Sequence, residues 1–101
     1  MFNDRIEATA IIVPVPGCED ALRDRLVAVV AETVKEPGCV QFQVFEFLQE
    51  PGRFVLWEIF ENQEALDAHI GATYTREYFA SGLVLETDVR RHRILSRQAA
   101  R

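Results

Sequence analysis

The chain has 101 residues, of which 49% are hydrophobic and 27% charged, and its formal net charge is −5. This length supplies one domain of ordinary globular composition. The negative charge argues against a general nucleic-acid-binding surface, and no apolar run approaches the roughly 20 residues that span a bilayer. We therefore expect a cytoplasmic protein with one domain over residues 1–101, a core at about 6–95 and a basic tail at 96–101.

The first predicted elements are a strand and a long helix. Ile6–Val13 is rich in β-branched residues and is followed by turn-forming proline and glycine, which predicts a strand. Glu19–Lys35 predicts a helix with one apolar face. That face carries Leu22, Leu26, Val29, Val30 and Thr33. The helix should end at Glu36-Pro37-Gly38, because proline continues a helix poorly and glycine tolerates a left-handed turn.

The middle of the chain predicts a β-hairpin. Cys39–Leu48 and Arg53–Phe60 are both rich in aromatic and β-branched residues, and the four residues between them, QEPG, are typical of a turn.

The last third predicts two helical pieces and a strand. Asn62 is a suitable N-cap for the first helix, and Thr75–Ala80 forms the second piece. Leu85–Leu95 predicts the last strand, which polar residues interrupt. The resulting order, βαββαβ, predicts a ferredoxin-like α+β fold with an antiparallel four-stranded sheet and the helices on one face.

The apolar pattern of the hairpin also predicts a homodimer. Val40, Phe42 and Val44 alternate with Cys39, Phe45 and Phe47, and both faces of the next strand are apolar as well. Because helices cover only one face of such a sheet, the other face needs a partner. A second copy packed sheet against sheet, through the open face, is the simplest arrangement.

No familiar cofactor or metal motif is present in the sequence. The two histidines, His69 and His92, lie on different elements, and neither CxxC, HxH nor HxxxH occurs. The five glycines are scattered over turns, so no phosphate-binding loop is visible. Cys39 follows a helix-to-strand corner, which favours a small buried residue over a nucleophile. We predict neither a metal nor a cofactor.

Glu58 and His69 are the remaining candidates for chemistry. Glu58 interrupts an apolar strand, and a carboxylate in such surroundings needs a partner for its charged form. His69 follows Ala65 by four residues and therefore lies on the inward face of its helix. The two side chains predict either an acid–base site or a core pair that only orients packing.

Several segments in this order resemble the antibiotic biosynthesis monooxygenase family. The resemblance spans about residues 6–94 and implies a dimeric α+β barrel. In catalytic members of the family it implies oxidation of phenols or hydroquinones by O₂ without metal or flavin. The segments that carry it are Glu36-Pro37-Gly38-Cys39, Phe42, the strand Arg53–Phe60, and Glu64–His69.

The resemblance also assigns roles to residues of this chain. His69 is implied as the base or hydrogen-bond partner of the substrate oxygen, and Glu58 as the group that orients His69 or shares its proton. The implied pocket residues are Phe42, Trp57, Phe60, Tyr74 and Phe79, provided that they lie on the helix-covered face of the sheet.

The chain departs from the family pattern at two positions. Tyr74 stands where members often have a second histidine, and Phe42 stands where a tyrosine is common. Two other functions therefore stay open: a cofactor-free isomerase of a small phosphorylated or enolisable carbonyl compound, and a non-catalytic dimer that binds a small molecule. The arginine-rich end of the chain motivates the isomerase, because five arginines and no acidic residue fall within residues 90–101. The same arginines are also consistent with a solvated last strand and tail, or with a cationic rim that attracts an anionic substrate.

Overall fold

The structure, a computed structural model, describes residues 4–96, so most of the predicted basic tail lies outside the described residues. The predicted element order is confirmed, and the fold is α+β and ferredoxin-like. The elements are β1 (Ile6–Pro14), α1 (Glu19–Thr33), β2 (Cys39–Glu46), β3 (Phe54–Phe60), α2 (Gln63–Gly71), α3 (Thr73–Phe79) and β4 (Val84–His92).

The four strands form one antiparallel sheet in the order β2-β3-β1-β4. The two central strands are β1 and β3, and β2 and β4 are the edges. We call the side of the sheet that carries the helices the covered face and the other side the open face. On β1 the covered face holds buried residues at alternate positions from Ile6 to Pro14. Directly paired residues share a face, so the β1–β3 register places Phe54, Leu56, Glu58 and Phe60 on the covered face as well.

The core lies between the helices and the covered face. One cluster joins Leu22 and Leu26 of α1 to Ile12 and Phe54, and the other joins Val29 of α1 to Phe42 and Phe60. Phe60 is completely buried. Each such aromatic side chain contributes a few kcal/mol of hydrophobic stabilisation, about 1.5–3 kcal/mol by area.

One predicted face assignment is wrong. Cys39 was expected on the same side as Phe45 and opposite Phe42. An irregularity in the β2–β3 register between Cys39 and Gln41 breaks the alternation. Cys39 therefore packs on the covered side against the cluster that contains Phe42 and Phe60.

Local contacts explain where the elements begin and end. The predicted N-cap is confirmed, since the Asn62 side chain accepts a hydrogen bond of 2.9 Å from the Ala65 backbone N–H. Helix α1 ends at Thr33, short of the predicted Lys35. The backbone N–H groups of Lys35 and Glu36 bond to carbonyls three residues earlier instead of four, which ends the α-helical pattern. Strand β4 ends at His92 rather than Leu95, since its register with β1 stops at the Glu7–His92 pair.

A charged side-chain pair joins α1 to β2. The Arg23 guanidinium donates two hydrogen bonds of 2.8 Å to the Glu46 carboxylate, and the Gly52 backbone N–H donates a third. These bonds lower the pKa of Glu46 to about 2. Gly52 has φ +91°, so the turn predicted between β2 and β3 depends on glycine there.

Among the described residues, no helix has the length and apolar character needed to cross a membrane.

Candidate functional site

His69 lies in an aromatic enclosure between α2 and the sheet. The residue is 6% exposed. Its ring centroid lies 4.9 Å from that of Phe60 and 5.2 Å from that of Phe42. The structure thus brings three of the predicted site residues together on the covered face, in surroundings of low polarity.

The hydrogen-bond partner of His69 is Glu36, which the sequence analysis did not name as a site residue. The distance from His69 Nδ1 to Glu36 Oε2 is 3.0 Å. An ionised carboxylate only accepts hydrogen bonds, so Nδ1 carries the proton and donates it. In the neutral ring this leaves the lone pair on Nε2, which makes no hydrogen bond with any described residue.

Tyr74 completes this arrangement from α3. Its hydroxyl donates a hydrogen bond to Glu36 Oε2, the same oxygen that contacts His69. The Tyr74 ring centroid lies 6.4 Å from that of His69. Tyr74 therefore lies beside His69 and contacts the carboxylate that holds the imidazole.

Close packing at Gly38 brings Glu36 to His69. Gly38 was expected to supply a left-handed turn, but its φ is not positive. Glycine is needed for a different reason, because a Cβ at Gly38 would overlap the Cβ of Ala65 on α2. The Glu61 backbone N–H also donates a hydrogen bond of 2.9 Å to the Gly38 carbonyl. The corner between α1 and β2 is thus held against α2, where Ala65 and His69 share one helical face.

Glu58 lies on the covered face of β3, directly across from Phe42 of β2. It makes no hydrogen bond with a described residue, and the place of an orienting partner for His69 is taken by Glu36. Burial raises the pKa of Glu58, while the nearby charges of His69 and Arg91 act in the opposite direction. Glu58 is therefore an acid that holds its proton to higher pH than an exposed glutamate.

This raised pKa predicts how pH affects stability. Above the pKa that Glu58 has in the unfolded chain, the folded state binds more protons than the unfolded state. The free energy of unfolding therefore falls as pH rises through the folded pKa. At lower pH Glu58 is protonated in both states, and this loss of stability is absent. We expect Glu58→Gln to unfold a few degrees above the wild type at pH 7, with the difference vanishing near pH 4.

Thermal unfolding by circular dichroism from pH 4 to pH 8 measures this effect. Glu64→Gln, on the exposed first turn of α2, is the matched control. A pH-independent difference between Glu58→Gln and the wild type would contradict the prediction.

Two residues predicted to line the pocket lie elsewhere. Trp57 pairs with Thr9 and so lies on the open face, where its Nε1–H donates a hydrogen bond of 2.8 Å to Glu7. Phe79 is 67% exposed and lines a separate cavity of about 260 Å³ between α3 and β4. Strand alternation decides the first position. At the second, Tyr78 packs against the core, and the next helical residue, Phe79, points away from it.

A larger groove of about 480 Å³ runs between α1 and β2. Phe42 lines this groove and also contacts His69, so the groove and the histidine share one wall. The charged side chains in the groove, Arg23 and Glu46, bind each other. Among the residues that line it, the groove therefore supplies no acid or base that is free of an ion pair.

Cys39 is unsuited to act as a nucleophile. Burial and the neighbouring charge of Glu36 raise the pKa of its thiol. Since the thiolate is the reactive form, the cysteine is a weak nucleophile at neutral pH.

Comparisons with known proteins agree with this architecture. Rv0793 of Mycobacterium tuberculosis, named "Putative monooxygenase Rv0793", is 32% identical over 75 residues, which cover 74% of this chain and 73% of that protein. YjcS of Bacillus subtilis is 39% identical over 44 residues, and this match covers 44% of this chain but only 42% of that protein.

Solved structures show the same fold. The structure of Rv0793 superposes with a TM-score of 0.82 at 28% identity, covering 94% of this chain and 99% of that one. PA3566 from Pseudomonas aeruginosa superposes with a TM-score of 0.87 at 21% identity, covering 95% and 99%. Residues 6–81, from β1 to the end of α3, match the antibiotic biosynthesis monooxygenase family. The chain therefore belongs to this family.

Proposed function

We propose that this protein is a cofactor-independent monooxygenase that oxidises a phenol or hydroquinone with O₂. The observation that carries the proposal is a buried histidine whose Nδ1–H is held by a carboxylate and whose ring packs against two phenylalanines. This arrangement suits a general base that acts on a flat apolar substrate. Membership of the family supports the same class of reaction.

In the proposed reaction, His69 Nε2 accepts the proton of a substrate hydroxyl. The imidazolium that forms keeps its hydrogen bond to Glu36, and the negative carboxylate stabilises the positive ring. Tyr74 holds the same carboxylate oxygen and so limits its movement. These contacts favour proton transfer to His69, and the transfer needs no other reactive group.

The electrons for the oxidation come from the substrate. The deprotonated hydroquinone is electron-rich and can itself reduce O₂. One oxygen atom of O₂ becomes bonded to the ring carbon, and the other leaves as water with two protons. The hydroquinone becomes a hydroxyquinone, so no external reductant is needed. The protein's part is to remove the proton and to keep the charged intermediate in apolar surroundings.

Glu58 suits the role of a proton donor in this sequence of steps. It lies opposite Phe42 on the same face as Phe60, and burial favours its protonated form. The site then holds a proton acceptor, His69, and a proton donor, Glu58. We propose that Glu58 donates a hydrogen bond or a proton to the oxygen that leaves.

Oxygen consumption tests the proposal directly. We expect the purified protein, without added metal or flavin, to consume O₂ with at least one compound of a hydroquinone panel, with one equivalent of hydroxyquinone formed per O₂. The buffer without protein corrects for autoxidation. No uptake above that background with any compound would overturn the proposal. Exchange of a substrate α-proton, followed by NMR with small ketones, would favour the isomerase instead.

We also propose that the protein is a homodimer that buries the open face. On β2, β3 and β1 this face carries an apolar stripe, formed by Phe45, Val55, Trp57, Ile59 and Ile11. Ile11 and Phe45 remain 37% and 48% exposed in the single chain. A second copy offers the same stripe, so the two stripes cover each other. Sedimentation at micromolar concentration should give twice the chain mass of 11.5 kDa, and a monomer would contradict this proposal.

A further inference from the structure

The helices leave the covered side of β4 open. On this strand the residues that share the covered face are Thr87, Val89 and Arg91, since they pair with Ile12, Ala10 and Ala8 of β1. All three are exposed, although their partners on β1 are buried. The helix layer therefore ends above β1, and β4 forms a shelf beside the site.

Arg91 stands in one row with the site residues. The strand registers place Phe42, Glu58, Ala8 and Arg91 side by side on β2, β3, β1 and β4. Neighbouring strands lie about 4.8 Å apart, so the backbones of Glu58 and Arg91 are roughly 10 Å apart. Between them lies only the methyl group of Ala8, so no larger side chain of β1 separates the two.

The charge of Arg91 is available to a ligand. Arg90, on the opposite face of the same strand, binds Asp88 at 2.9 Å. Arg91 has no carboxylate within ion-pair distance among residues 4–96. Its field reaches Glu58, but burial works against the charged form of that acid.

We propose that the substrate is a hydroquinone that carries a carboxylate, and that Arg91 binds this carboxylate from the shelf. His69 contacts Phe42 at the β2 end of the row, whereas Arg91 lies at the β4 end. A substrate hydroxyl at His69 therefore places the far side of the ring toward Arg91. Arg91 determines specificity and does not take part in the proton transfer. This inference rests on the proposed function, because it extends the same site.

Anaerobic calorimetry with three probes tests the inference separately from turnover. The probes are 2,5-dihydroxybenzoate, its methyl ester and unsubstituted hydroquinone. We expect the wild type to bind the carboxylate about tenfold more tightly than the ester, as one charge-assisted contact warrants. Arg91→Gln should lose this preference. Arg90→Gln, which makes the same charge change one residue away on the opposite face, should keep it.

The outcomes separate the two proposals. Absence of binding by all three probes, an equal affinity of the wild type for carboxylate and ester, or a preference that persists in Arg91→Gln overturns the inference. If O₂ uptake occurs without a preference for the carboxylate, the monooxygenase proposal stands and the inference fails. If the Arg91-dependent preference is found but no hydroquinone is oxidised, the anion site stands and the proposed reaction fails.

Discussion

Replacing His69 with asparagine is expected to lower kcat for hydroquinone oxidation by roughly 10²–10⁴-fold, the usual contribution of a general base. Asparagine cannot accept a proton at neutral pH, but it is polar and can still contact Glu36. The fold should therefore survive, and unchanged far-UV circular dichroism would verify this. Asp67→Asn is the control, since Asp67 lies exposed on the same helix and its contact with Gln63 can be kept by the amide oxygen.

Glu36→Gln should have a smaller effect in the same assay. The glutamine oxygen can accept the His69 Nδ1–H, which preserves the tautomer, but it lacks the charge that stabilises the imidazolium. We expect kcat to fall about 10–100-fold with little change in KM. Glu32→Gln, one turn earlier on the exposed side of α1, should behave as the wild type. Full activity of both His69→Asn and Glu36→Gln would remove His69 from the mechanism.

Gly38→Ala is expected to lower the free energy of unfolding, although it adds only one methyl group. The new methyl group would overlap the Cβ of Ala65, and neither partner is the flexible end of a side chain. Overpacking of this kind costs about 1–3 kcal/mol in the free energy of unfolding. For a chain of this size, each kcal/mol lowers Tm by about 4–8 °C.

A double-mutant cycle identifies the cause of that loss. Ala65→Gly alone should cost about 1 kcal/mol, because glycine weakens a helix interior. The double variant Gly38→Ala with Ala65→Gly should be more stable than the sum of the two single losses predicts, since the added methyl then has room. Chemical denaturation measures all four proteins. Strict additivity would show that the close contact between the corner and α2 does not determine the stability.

The sequence by itself determined most of the architecture. Apolar periodicity and turn residues predicted every strand and helix, because these signals are local and each element repeats its own period. Asn62 was identifiable as a cap for the same reason, since its partner lies three residues away. The family resemblance named Phe42 and Phe60 as pocket residues, but the face of β3 could not be assigned from the pattern alone.

The tertiary structure decided which polar groups meet. Glu36 lies 33 residues before His69 and was visible only as the end of a helix and as part of a segment that resembles the family. Its contact with His69 depends on how closely the corner at Gly38 approaches α2. The local sequence pattern does not predict that approach, because the two segments are far apart in the chain. Strand register likewise placed Trp57 on the open face and Arg91 on the covered one, because a shift of one residue reverses every side chain. Local sequence thus specified the elements, and packing between distant segments assembled the site.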